Sequence, residues 1–187
     1  RLPPVAHDPV RAASLLADMG YTPERPLEIS YKTSTDPFRL RIAHVFQSQL
    51  ARAGIRLKIT SYDWGTFFGD IREGRFQMYS LAWVGVDSPD ILRYAFHSGS
   101  LPPQGANRGQ YVDARTDVLI EQAERAGDGE AATAFRAAQM RIHDALVYVP
   151  LWYEHNTAVS RGLAGYEPGH DGNYRGLRTV ERQHVEQ

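Results

Sequence analysis

Three short clusters set aromatic rings beside hydrogen-bonding or charged groups. They are Tyr31 with Thr33, Ser34 and Thr35; Tyr62 with Asp63 and Trp64; and Trp83 with Asp87, Ser88 and Asp90. Apolar ring surface next to a few polar groups suits a small amphipathic ligand held without covalent chemistry. The competing reading of each cluster is structural, with Trp64 in the core and Asp63 and Ser88 as helix caps.

Other chemistries find less support. No glycine-rich loop of the phosphate-cradling type follows a strand pattern, and Gly-x-Ser-x-Gly does not occur. Ser98 beside His97 is the nearest approach to a nucleophile and base, but adjacency in sequence does not aim an imidazole at a hydroxyl. Asp87 and Asp90 could form a carboxylate pair, although a turn-and-cap role explains both acids more simply. The seven histidines (His7, His44, His97, His143, His155, His170 and His184) show no i, i+4 pair, and there is no cysteine to join them. We therefore expect no enzyme activity, no metal site and no cofactor.

The elements that would position these residues follow from periodicity. Asp8-Pro9 reads as a helix start, with Ala12, Leu15, Leu16 and Met19 on one face and Gly20 as the stop. Leu27, Ile29 and Tyr31 alternate with polar residues as a strand. Helical spacing returns from about 37 to 54 through Ile42, Val45, Phe46 and Leu50, and Ile55, Leu57 and Ile59 form a second strand. Asp63 then caps a helix bearing Trp64, Phe67, Phe68 and Ile71, and a third strand is predicted from Phe76 to Trp83. Strand, helix, strand, helix, strand at this spacing implies parallel strands with right-handed crossovers, hence an α/β fold. The charges at Lys32, Arg56 and Lys58 resist a sheet covered on both faces, so either one face is thinly covered or those strand ends lie at an edge. Ser88 is expected to cap a helix begun by Pro89. A turn-rich loop spans 99–109, and two helices follow at about 113–126 and 129–147. A strand broken by Pro150 is expected over Val147 to Tyr153. Beyond Gly162 no core pattern emerges.

Bulk properties narrow the partners. The 187 residues suit one domain, and 42% hydrophobic residues can build a core. With 21 basic and 22 acidic residues interspersed, no basic stripe exists to meet a phosphate backbone, so nucleic acid is not expected. No apolar run approaches the roughly 20 residues that cross a bilayer. The chain opens at Arg1 with Leu2-Pro3-Pro4 and has neither an initiator methionine nor a signal segment, so it reads as a mature or excised piece.

Several segments, in order, resemble the bacterial extracellular solute-binding proteins that serve dipeptides, oligopeptides, nickel and related solutes. The match starts at His7-Asp8-Pro9-Val10-Arg11-Ala12, runs to Gly20-Tyr21, and continues through Gln49-Leu50-Ala51-Arg52-Ala53-Gly54-Ile55, Trp64 and Gly74-Arg75-Phe76-Gln77-Met78. Its more specific part is Trp83-Val84-Gly85-Val86-Asp87-Ser88-Pro89-Asp90, then Asn107-Arg108, Tyr111, Asp117 to Ala123, Gln139, Val149-Pro150-Leu151-Trp152-Tyr153, Val159 and Gly162.

The resemblance implies a periplasmic-binding-protein fold in which two lobes close over a solute. Residues 1–162 would be the second lobe, mainly a parallel sheet flanked by helices, and 163–187 a segment returning toward the first. It also implies a ligand site built from Tyr31, Thr33, Tyr62, Trp83, Asp87, Asn107, Arg108 and Tyr153. Val86 stands where peptide-binding members tend to carry an aspartate. Asp87, one residue later, either takes that role through a local shift or points the opposite way. The implied function is the substrate-binding component of an ATP-binding-cassette importer. It would be monomeric and periplasmic or extracellular, and would deliver a peptide, nickel complex, opine or sugar to a membrane permease; a membrane anchor on the full-length protein is left open. The alternative is the ligand-sensing lobe of a transcriptional regulator.

Overall fold

A computed structural model of the chain describes residues 2–153, 155–169 and 174–183. The first helix, α1 (Pro9–Asp18), opens where the Asp8 carboxylate accepts the Arg11 amide at 2.8 Å. Asp36 does the same for α2 (Pro37–Ala51) through the Arg39 amide at 2.9 Å, and Asp63 for α3 (Trp64–Arg72) through the Thr66 amide at 3.1 Å. Each carboxylate satisfies a first-turn amide that has no partner within its helix.

Between these helices run β1 (Leu27–Ser34) and β2 (Ile55–Tyr62), paired in parallel from Leu27 against Ile55 to Ser34 against Tyr62. A short β3 (Met78–Tyr79) joins the other side of β1, again in parallel, to give the order β2-β1-β3. The predicted parallel sheet is present, but the third strand is two residues long where 76–83 was expected. Tyr79 already pairs with Lys32, so little of β1 remains to bond residues beyond it, and the chain leaves toward Gly85 at φ 73°.

One face of the sheet packs on α2, where Tyr31, Ala43 and Leu57 are buried with Ile29, Phe46, Leu50, Ile59 and Met78 around them. The opposite face explains the strand charges. At its far end Lys32 reaches Asp70 of α3 at 2.5 Å, while toward its start Arg56 and Lys58 both pair with Glu28 in the open. That face is covered by α3 only where β1 ends, and β2 is an edge strand.

A second core forms among α4 (Ile91–Phe96), α5 (Ala114–Arg125) and α6 (Asp128–Asp144). Leu92, Ala95, Phe96, Leu119, Ile120, Ala138 and Ile142 are buried there. Arg93 locks α4 to α5 through a two-pronged pair with Glu124 at 2.6 and 2.7 Å.

Several local features differ from expectation. The segment 147–153 is not a strand; Pro150 lacks an amide donor, and Val149, Leu151, Trp152 and Tyr153 stand exposed. Pro89 does not begin α4. Ser88 Oγ instead donates to the Asp90 carboxylate at 2.9 Å, and this turn delays the helix to Ile91. The helix foreseen to 147 stops at Asp144, because Leu146 has a positive φ of 50°. The apolar face of α1 has no buried residue, and Leu15 and Met19 are exposed. The tail, read as patternless, forms a two-residue antiparallel ladder between β4 (Leu163–Ala164) and β5 (Glu181–Arg182).

Candidate ligand-binding site

The carboxyl ends of β1, β2 and β3 open on one side of the sheet, where ligands of open α/β sheets generally bind. Trp83, past the end of β3, is the centre of the aromatic surface there. It meets Tyr94 of α4 edge-on at 6.2 Å, and the Arg108 guanidinium lies 5.0 Å from its ring centroid. On its other side Arg108 lies 5.2 Å from the ring of Phe68, which in turn stacks on Trp64 at 5.5 Å and 9°. The result is a continuous row, Trp64-Phe68-Arg108-Trp83-Tyr94, that ties α3, the segment after β3, the loop before α5, and α4 together.

Arg108 is held from behind by Asn107. The Asn107 side chain is fully buried, donates to the carbonyls of His97 at 3.1 Å and Tyr111 at 2.7 Å, and accepts the Tyr111 amide at 3.0 Å. These bonds occupy its amide, so it shapes the loop and offers no group outward. Tyr111 continues the brace by donating to Asp113 at 3.0 Å. Asp113 caps α5 and receives Arg141 of α6 at 2.7 Å, and the guanidinium beside it holds its carboxyl down at about 2.

Tyr31 and Thr33 also lie inside. The Tyr31 ring sits in the core under α2, edge-on to Phe46 at 6.0 Å, and its hydroxyl meets Ser80 Oγ at 2.7 Å. Thr33 is buried at the end of β1. Tyr62 is half-buried with the Lys32 ammonium 5.3 Å from its ring centroid. Lys32 and, after it, Arg75 keep the Asp70 carboxyl below its ordinary range.

Asp87 is exposed and has no hydrogen bond or ion pair within the described residues. With Val86, Ile91, Gln139 and Tyr153 it lines an open depression of about 800 Å³, which Glu167, Gly169 and Arg175 of the tail also line. Tyr153 is almost entirely exposed there. The eight predicted residues thus divide. Trp83 and Arg108 meet directly, Asp87 and Tyr153 share the depression, and Tyr62 lies at the end of β2. Tyr31, Thr33 and Asn107 face the interior.

Sequence reasoning missed Phe68, which it set beside Trp64, Phe67 and Ile71 on α3 without a ligand role, and Tyr94. The i, i+4 spacing of Trp64 and Phe68 was the available signal, since such a pair stacks along one helix face. Trp64, offered as a core residue in the structural reading, is exposed.

The Ser98 and His97 pair is not arranged for nucleophilic attack. Ser98 Oγ donates to Asp117 at 2.5 Å, His97 Nδ1 accepts the Gly99 amide at 2.9 Å, and His97 Nε2 faces Glu121 at 3.4 Å. Among the described residues no three His, Cys, Asp or Glu side chains gather as metal ligands, and no helix is long and apolar enough to cross a membrane. His170 and His184 lie outside the described residues.

The chain is similar to several known proteins in sequence and in fold. The sequence profile described as bacterial extracellular solute-binding proteins, family 5 Middle, matches residues 2–101. Di/tripeptide-binding protein 4 of Pseudomonas aeruginosa (strain UCBPP-PA14) is 32% identical over 165 residues, covering 86% of this chain and 31% of that protein. The dipeptide-binding protein of Escherichia coli (strain K12) is 24% identical over 143 residues, covering 74% and 27%. The chain thus spans under a third of the length of these curated relatives. Among solved structures, the periplasmic binding protein DppA of Helicobacter pylori with a bound peptide superposes with a TM-score of 0.76 at 25% identity, covering 97% of this chain and 36% of that one. NikA of Brucella suis with Fe(III)-EDTA gives 0.66 at 27% identity, covering 81% and 33%. The fold is the α/β periplasmic-binding-protein type, with a parallel sheet flanked by helices. The chain belongs to the bacterial extracellular solute-binding proteins of family 5, a family of substrate-binding transport proteins and not of enzymes.

Proposed function

We propose that this chain is one lobe of the substrate-binding component of an ATP-binding-cassette importer, which captures a peptide or similar small solute outside the cytoplasmic membrane and delivers it to a permease. The observation that carries the reading is the aromatic and cationic row Trp64-Phe68-Arg108-Trp83-Tyr94 past the carboxyl ends of the strands, with the exposed carboxylate of Asp87 four residues beyond Trp83 in the chain. Trp83, Tyr62 and Tyr153 offer ring surface, and Asp87 and Arg108 offer opposite charges. Tyr31, Thr33 and Asn107 support the site from beneath. The di/tripeptide-binding relatives favour peptides over nickel complexes, opines or sugars, and favour an importer over the sensing lobe of a regulator.

In this reading residues 1–162 form the second lobe and 163–187 return toward the first, which closes over the solute by a hinge motion. The protein works as a monomer in the periplasm or outside the cell, and any membrane anchor lies outside this lobe. Half a cleft leaves one side of the ligand in water, so this chain alone binds weakly. Calorimetric titration of di- and tripeptides into the full-length gene product tests the reading, and failure of every peptide to bind overturns it. Micromolar or tighter binding to the present chain alone overturns the split site.

A further inference from the structure

Several arginines around the second core and the sheet edge have carboxylate partners. Arg93 meets Glu124, Arg141 meets Asp113, Arg75 meets Asp70, and Arg56 meets Glu28, all within 2.9 Å. Arg108 differs. It is half-buried, no carboxylate among the described residues lies within ion-pair distance, and its contacts are the rings of Phe68 and Trp83. Ring faces near a guanidinium satisfy it only in part, because they offer its N–H donors no carboxylate or carbonyl acceptor, and no side-chain hydrogen bond of Arg108 is found among the described residues. Those donors form a fork that matches the two oxygens of a carboxylate.

The surroundings hold this fork in place before any ligand arrives. Asn107 fixes the backbone next to it with three buried hydrogen bonds, and Tyr94 sets the ring of Trp83 at 71°. A guanidinium held in this way loses little freedom on pairing. We infer that Arg108 is the carboxylate anchor of the solute site, so that the solute presents a carboxylate to the edge of the guanidinium between Phe68 and Trp83. The inference rests on the solute-binding reading above and names the chemical class that the site selects.

The opposing account is that Arg108 only glues α3 to the segment carrying Trp83. Loss of glue weakens every ligand alike, whereas loss of an anchor weakens carboxylates selectively. The test uses the full-length gene product and calorimetry with di- and tripeptides as free acids, as terminal amides, and with a glutamate side chain exchanged for glutamine. The last two arms separate a terminal from a side-chain carboxylate. Removing the carboxylate that pairs should weaken binding to the wild type about 10-fold to 100-fold, the range for a charged hydrogen-bonded pair. In Arg108→Gln the acid should weaken by a similar factor and the matching amide should stay within about 2-fold, so that the preference disappears. Arg108→Lys keeps the charge and the ring contact but not the fork, and should keep only part of the preference. Equal binding of acids and amides by the wild type overturns the anchor while the solute-binding reading stands. Parallel weakening of acid and amide in Arg108→Gln also overturns it. If no peptide binds in any form, the peptide reading and this inference fall together.

Discussion

Asp113 holds the loop that carries Arg108, and its removal should show how much that loop depends on one carboxylate. It accepts the amides of Arg115 at 2.8 Å and Thr116 at 3.3 Å, the Arg141 guanidinium at 2.7 Å and the Tyr111 hydroxyl at 3.0 Å. Losing the cap costs about 1 kcal/mol. The Arg141 side chain is half exposed, which limits the ion pair to about 0.5–1 kcal/mol. Tyr111 retains Thr116 Oγ1 at 3.0 Å and loses little. Asp113→Ala should therefore destabilise the chain by about 2 kcal/mol, and Asp113→Asn, which can still cap, by about 1 kcal/mol or less.

The pH dependence separates charge from capping. With the folded carboxyl at about 2, below its ordinary value, the stabilisation is complete above about pH 4 and is lost as pH falls toward about 2. The shift taken at face value corresponds to somewhat over 2 kcal/mol, and screening by solvent around Arg141 reduces it to about 1. Urea unfolding of wild type and Asp113→Asn between about pH 6 and about pH 2.5 should show the gap between them closing on the acid side. A gap that stays constant across this range would refute the ion-pair account.

Three further outcomes are expected. Asn107→Ala removes three buried hydrogen bonds and should lower stability by about 2–4 kcal/mol in urea melts; a loss under about 0.5 kcal/mol would mean that the loop is held by other groups. Asp63→Ala should cost about 1 kcal/mol of stability and leave solute affinity nearly unchanged, as befits a helix cap. Asp87→Ala should leave the melting temperature alone and, for a solute with a cationic group, weaken titrated binding by about 1–3 kcal/mol. Unchanged affinity for such a solute would place Asp87 outside the contact.

Where local chemistry decides structure, the sequence was a sufficient guide. Asp8 and Asp63 each cap a helix as their positions before Pro9 and Trp64 suggest, and the alternation in 27–32 and 55–59 became two parallel strands in full register. Where an element needs a distant partner, the residues alone misled. The apolar alternation after Phe76 continues past Tyr79, but a strand lasts only as long as its neighbour offers bonds, and β1 ends at Ser34. The run Val147 to Tyr153 has strand composition and no ladder to join among the described residues, so Trp152 and Tyr153 stand in solvent while Tyr148 turns in to pack on Phe96.

The site divides along the same physical line. Composition at strand ends indicates which groups are present, and the pleat or a loop bend decides which of them face out. Asn107 and Arg108 are adjacent, yet the amide turns inward to bind His97 and Tyr111 and the guanidinium lies against Trp83. No pattern within the loop distinguishes the two. What separates them is the environment that α3 and the segment after β3 bring up: two aromatic rings at 5.2 and 5.0 Å from the guanidinium and, among the described residues, no carboxylate within ion-pair distance. Arg108 is therefore defined by residues far from it in the chain, and its selectivity should respond to Phe68 as well. Phe68→Ala would free one face of the guanidinium, let the fork swing, and erode the preference for carboxylates without removing the charge that attracts them.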